Sequence, residues 1–165
     1  VKVMADFFEG QYVVYPAHGV GVIKGIESQE IAGTQIQVLV ISFSKDKMVV
    51  RLPLNKSTSK KVRKLCSKDV MREALECLKT PTKSKKMMWS RRAQEYESKI
   101  NSGDPVSIAQ VIRDLYRTPS QPEHSYSERQ IYKEALSRLT KEFAIVEEIA
   151  EDDALGVLEK ALQVA

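Results

Sequence analysis

The sequence predicts an α+β chain in two parts. A small, strongly bent antiparallel β-barrel or half-barrel of the SH3/Tudor type occupies residues 1–66, and a compact five-helix domain occupies residues 67–165. Three observations predict it. Apolar residues alternate with period two up to about residue 57 and recur with a helical period from Ser67 onward. Glycine and proline break the first part into strand-length pieces. The 165 residues, 42% hydrophobic and 29% charged, are enough for one domain or two small ones with a real core.

The strands follow in order. Gln11–Tyr15, Val20–Ile26, Gln35–Phe43 and Met48–Leu54 are rich in Val, Ile, Tyr and Phe. In the third, Gln35 and Gln37 alternate with Ile36, Val38 and Val40, so one face is wet and the other dry. Ala32-Gly33 and Ser44-Lys45-Asp46 stand where hairpin turns belong. A short strand over Lys61–Cys66 completes the set.

Five helices are expected next. Met71, Ala74, Leu75 and Leu78 make one apolar stripe behind a Ser67 cap. Trp89, Ala93, Tyr96 and Ile100 make a second. Asp104-Pro105 is a cap followed by proline at the first helical position, leading Ile108, Val111, Ile112 and Leu115 inward. Ser125 and Glu128 form a capping box ahead of Ile131, Ala135, Leu139, Phe143, Val146 and Ala150. Leu155, Leu158 and Leu162 follow the acidic caps Asp152 and Asp153 in a last short helix.

Charge is unevenly spread. The net charge of +4 divides into zero over residues 1–55, +10 over 56–92 and −6 over 93–165. A basic middle of this size is either a footprint for an anionic partner or a solvated linker. Within it, the sole tryptophan sits in Lys85-Lys86-Met87-Met88-Trp89-Ser90-Arg91-Arg92. Cations on both sides of a large apolar ring suit nucleic acid: Lys85, Lys86, Arg91 and Arg92 can meet phosphates while the ring wedges at a base step. The same indole is in register with Ala93, Tyr96 and Ile100, so a core role stays open on spacing alone.

Signals for catalysis are scarce, and no enzyme is expected. His18 and His124 fall in different predicted domains, and neither has metal or triad spacing. His18, between Ala17 and Gly19, reads as a turn residue. Gly19-Val20-Gly21 leads into a strand, which excludes a dinucleotide loop. Glu147, Glu148, Glu151, Asp152 and Asp153 read as a solvated helix end. Cys66 and Cys77 fit no metal or redox spacing, no apolar run nears the ~20 residues of a membrane span, and no leader pattern opens the sequence. A cytoplasmic monomer without cofactor is the expectation.

Two stretches carry a resemblance. Phe8-Glu9-Gly10-Gln11-Tyr12-Val13-Val14-Tyr15-Pro16-Ala17-His18-Gly19-Val20-Gly21-Val22-Ile23, closed by Val49-Val50-Arg51-Leu52-Pro53, resembles the opening module of the CarD/CdnL family of bacterial transcription regulators. That module is also similar to the polymerase-interacting domain of transcription-repair coupling factor. Met88-Trp89-Ser90-Arg91-Arg92, Ser102-Gly103-Asp104 and Val111-Ile112-Arg113-Asp114-Leu115-Tyr116 resemble the family's helical half. The resemblance implies a Tudor-like domain (1–66) that docks on the β subunit of RNA polymerase. It also implies a helical domain (67–165) that touches promoter DNA at the upstream edge of the melted bubble. Arg51 is then the expected polymerase anchor, with Val50 and Pro53 beside it and Gln29 where a basic contact would help. Trp89 becomes an exposed wedge that helps to stabilise the open complex. The alternative is a protein-interaction adaptor whose basic segment meets an acidic protein surface.

Overall fold

The computed structural model describes residues 7–15, 18–43, 47–54, 62–80, 88–116 and 125–164. The chain divides into two compact units, Val1–Leu65 and Cys66–Ala165.

In the first unit, β1 (Tyr12–Tyr15), β2 (Gly19–Ile31), β3 (Thr34–Phe43), β4 (Met48–Pro53) and β5 (Arg63–Lys64) form one antiparallel sheet in the order β4-β3-β2-β1-β5. The expected α+β class is present, but the sheet is not closed into a barrel among the described residues. Closure would need the two edges to pair, and β5 is a two-residue stub already hydrogen-bonded to β1. The β2–β3 turn is Ala32-Gly33, with φ of 52° and 79°; both values are positive, as a type I′ hairpin requires. The second predicted turn, Ser44-Lys45-Asp46, lies outside the described residues. β2 continues past its expected end at Ile26 because the irregularity between Ile23 and Gly25 bends the ladder without ending it.

Period two sorts the sheet into faces, but not as expected for β3: the core residues Leu39 and Ile41 share the face of Gln35 and Gln37, and Val38 and Val40 are buried on the other. Phe7, Val13, Ile23, Leu39, Ile41, Phe43 and Val62 form the buried core of one face, and half-buried Val50 and Leu52 of β4 pack against it. Gly21 lies on that face because a Cβ there would fall 2.6 Å from Ile41 Cγ2 and 2.8 Å from Phe43 Cε1. The intervening residues of β4, Val49, Arg51 and Pro53, are exposed on the other face.

The second unit holds α1 (Lys68–Lys79), α2 (Trp89–Asn101), α3 (Pro105–Leu115), α4 (Tyr126–Val146) and α5 (Glu151–Val164). Three of the expected caps form, whereas Asp152 and Asp153 lie within the first turn of α5, which begins at Glu151. Ser67 Oγ accepts from Val70 N, Asp104 Oδ2 accepts from Ser107 N, and Ser125 with Glu128 completes a capping box. Ile108, Ala109, Val111, Ile112 and Leu115 are buried, which puts α3 at the centre of the bundle against α1, α2 and α4. Burial of side chains this large contributes roughly 1.5–3 kcal/mol each.

The last two stripes differ slightly from expectation. In α5 the buried set is Ala154, Leu158, Ala161 and Leu162, while Leu155 is only half-buried. Ala150 lies beyond the end of α4 and is exposed, because that helix stops at Val146. No helix among the described residues is long and apolar enough to cross a membrane. No group of three or more His, Cys, Asp or Glu among them could hold a metal ion.

Two arginines fix the ends of the helices that matter for the site. Arg138 of α4 donates through Nη1 to the Ile100 carbonyl near the end of α2 at 3.3 Å, and through Nε to Glu134 at 2.9 Å. Arg113 of α3 donates to the Thr80 carbonyl, the C-cap of α1, at 2.6 Å.

Candidate nucleic-acid interface

The start of α2 differs from its neighbours. α1, α3 and α4 begin on a side-chain oxygen that accepts a helix amide, whereas α2 begins on Met88, which makes no side-chain cap. Its first turn has no acid and carries Arg91 and Arg92. Cations at the positive end of a helix dipole are disfavoured by roughly 0.3–1 kcal/mol each. The sequence thus concentrates positive charge where local stability would place negative charge. An anion arriving at this end meets both side-chain and dipole charge.

Trp89 is the first residue of α2. It is partly buried and packs against the helical core of its own bundle. Met88, immediately before it, is 78% exposed, so two apolar side chains sit side by side at the helix tip. Ser90 and Arg91 are exposed.

Arg92 is placed differently. Its guanidinium carbon lies 5.6 Å from the Trp89 ring centroid and 5.6 Å from that of Tyr96. Nη2 donates to the Tyr96 hydroxyl at 3.1 Å. That acceptor, more than any other influence, holds the Arg92 pKa above its ordinary value. Nε is shut off from solvent and has no hydrogen-bond partner among the described residues. A buried donor left in this state costs about 1–3 kcal/mol. Tyr96 itself is 2% exposed, and its ring sits 6.3 Å from the indole at 51°.

Lys85 and Lys86 lie outside the described residues. The structure brings together Trp89, Arg91 and Arg92. Sequence reading missed Met88 as an exposed neighbour and Tyr96 as the partner of Arg92. The signal for the second was available, since Trp89, Arg92 and Tyr96 stand at i, i+3 and i+7 on one helical stripe.

The β unit carries the other candidates. Arg51 is half exposed on the outer face of the edge strand β4, and its Nε lies 3.5 Å from Glu27 Oε2 on β2. The pair spans β3, where Val38 and Val40 lie on the same face by register. The acidic partner is Glu27 because alternation along β2 puts Glu30, a nearby acid in sequence, on the opposite face. Gln29 shares the face of Glu27 and pairs with Ile36. That position lies beyond the end of β4, whose last partner on β3 is Val38. Pro53 is exposed on the Arg51 face, whereas Val50 points to the core, so Val50 is not on a surface with the other three. His18 occupies the β1–β2 turn as expected; its N–H donates to the Tyr15 carbonyl at 2.9 Å and its ring stacks on Tyr15.

Comparison with known proteins agrees across both units. Residues 7–66 match the model of the CarD-like/TRCF RID domain, and residues 73–159 match that of the CarD C-terminal domain. Over 142 residues the chain is 28% identical to the protein named "Putative transcription factor YdeB" of Bacillus subtilis (strain 168), covering 86% of this chain and 93% of that one. With the C-terminal domain model covering more than half of the chain and the RID model covering the segment before it, this protein belongs to the CarD family.

Proposed function

We propose that this protein is a transcription regulator that binds the β subunit of bacterial RNA polymerase and stabilises the open promoter complex. In this reading the β unit docks on the polymerase through the outer face and edge of β4, with Arg51 as the anchor. The helical unit presents Trp89 to the upstream edge of the melted bubble. The observation that carries the reading is the tip of α2: a partly buried Trp89 beside exposed Met88, at an uncapped helix start whose first turn holds Arg91 and Arg92. Family membership and the name borne by the Bacillus subtilis relative support the transcriptional role.

The mechanism is tethering. A single helix tip binds DNA weakly alone, and docking on polymerase raises its effective concentration at the promoter. The indole shifts the opening equilibrium only if it binds the distorted base step better than closed duplex. A ring that enters between unstacked bases meets that condition, because the stacked duplex offers no such gap. Phosphate contacts and a wedge carry little base code, so promoter sequence at the contact should matter little. Nothing here calls for a cofactor.

The test is open-complex lifetime on one promoter with the full-length chain. Trp89→Ala should shorten it about tenfold, equivalent to ~1.4 kcal/mol, with polymerase binding retained. An unchanged lifetime at full polymerase occupancy would remove the wedge. Binding to an acidic protein surface with no measurable affinity for promoter DNA, with or without polymerase, would favour the adaptor role instead.

A further inference from the structure

Of the two cations in the first turn of α2, only one is placed to reach for a phosphate. Arg91 is exposed. Arg92 has both rings within 5.6 Å, one nitrogen committed to the Tyr96 hydroxyl, and Nε closed off from solvent without a partner among the described residues. An arginine that binds phosphate keeps its fork free for two parallel hydrogen bonds. Here one end of the fork is already used and the guanidinium carbon lies 5.6 Å from each of two aromatic ring centroids.

We propose that Arg92 is a positioning residue: held between Trp89 and Tyr96, it fixes the indole in the orientation that meets DNA and leaves phosphate contact to Arg91. This rests on the reading of Trp89 as the DNA-contacting tip. The chain of support runs outward from the core. Tyr96 is buried among the helices and holds Arg92 through its hydroxyl and its ring face. Arg92 in turn holds the indole through its face, an attraction that strengthens as water is excluded. The spacing permits this because side chains in a helix lean toward its N-terminus, so Tyr96 leans toward Arg92 and Arg92 toward Trp89. Helix ends fray, and Trp89 is the first residue of an uncapped one. An anchor one turn further in supplies the order that the missing cap does not.

The arrangement also explains the orphaned Nε. Turning the guanidinium outward would solvate that nitrogen and would lose both ring contacts and the phenol. The inward position persists because three contacts outweigh one missing bond.

The experiment uses the single tryptophan of the full-length chain, whose fluorescence reports the indole when excited at the red edge, where the six tyrosines do not absorb. In free protein, Arg92→Gln should raise acrylamide quenching and lower emission anisotropy. Tyr96→Phe should do the same to a smaller extent, and Arg91→Gln should change neither. Arg92→Lys, which keeps the charge but lacks the several donors that let one guanidinium meet both rings and the Tyr96 hydroxyl, should fall between Arg92→Gln and the natural chain. On a fork-junction promoter duplex with polymerase, Arg92→Gln should shorten the complex lifetime about tenfold. Its slope of log affinity against log salt should stay unchanged, whereas Arg91→Gln should flatten that slope by roughly 0.9.

Unaltered quenching in Arg92→Gln and Arg92→Lys would overturn the proposal, as would a slope in Arg92→Gln flattened to the same extent as in Arg91→Gln. Failure of the underlying reading has a different signature. Trp89→Ala would then leave the lifetime unchanged although the quenching shifts were present, and the functional half of the proposal would fall with it.

Discussion

The carboxylate of Glu142 lies inside the helical unit, 3% exposed, and its Oε2 accepts the backbone N–H of Cys66 at 2.9 Å. Cys66 is the first residue of that unit and stands directly before the Ser67 cap of α1. A buried carboxylate is expensive to desolvate, so its place in the core is justified by the polar groups it satisfies. This one pins the entry of the chain into the bundle to the C-terminal part of its longest helix, α4.

Glu142→Ala should destabilise the helical unit by about 1.5–3 kcal/mol, the range for a hydrogen bond to a charged group. Glu142→Gln keeps an acceptor oxygen at the same place and should cost about half as much. Denaturant unfolding of the three proteins decides it. Equal midpoints for Ala and Gln would mean that the acceptor at Cys66 contributes little.

How much of this was legible depends on the range of the interaction. Caps were legible because they are written within four residues: Ser67, Asp104-Pro105 and the Ser125/Glu128 box all formed where spacing put them. The Ala32-Gly33 turn was legible for the same reason. Glu142 was not, since its partner is 76 residues away and an acid one position before Phe143 reads as a flank of the stripe. The pairing of Arg51 with Glu27 depends on register across three strands, which alternation along one strand does not reveal. Of the tip of α2, the composition was readable, but the inward turn of Arg92 depended on where Tyr96 lies in the core.

The end of α4 carries a strained residue. Glu148 has φ of 57°, the left-handed region, directly after the C-cap Glu147. Ile149 N–H donates to the Ala144 carbonyl and Glu148 N–H to the Ile145 carbonyl, at 2.9 and 3.2 Å, which is the Schellman pattern. Glycine fits that position without a Cβ clash. Glu148→Gly should therefore raise stability by about 0.5–1 kcal/mol despite the entropy of the unfolded glycine. A lower melting temperature for this variant would show that the Glu148 side chain makes a compensating contact.

Tyr132 of α4 sets an alkaline limit. Burial, with Glu159 and Tyr116 nearby, pushes its phenol from an ordinary 10.0 up to about 12. The folded protein therefore holds this proton where the unfolded chain has released it. The resulting stability is fully present below pH ~10 and is lost as pH rises from there through about 12. Tyr132→Phe should flatten that fall by roughly one proton's worth of slope. Urea midpoints measured at pH 9, 10 and 11 check it, and parallel declines in both proteins would contradict it.

The Arg51–Glu27 pair allows fold and docking to be separated. Both side chains are about half exposed, at 52% and 51%, so the ion pair should contribute about 1 kcal/mol or less. Arg51→Glu puts two carboxylates on one face and should lower stability only slightly, while abolishing capture of the polymerase β subunit. The double variant Glu27→Arg with Arg51→Glu restores opposite charges across β3 and should recover the lost stability. It moves the guanidinium from the edge strand to the interior of the sheet face, two strands away from β4. A partner that adds to the β4 edge and reads Arg51 there should not bind the swapped protein. Recovery of binding along with stability would mean that Arg51 acts only through the local charge balance, and the anchor would have to be sought elsewhere on that face.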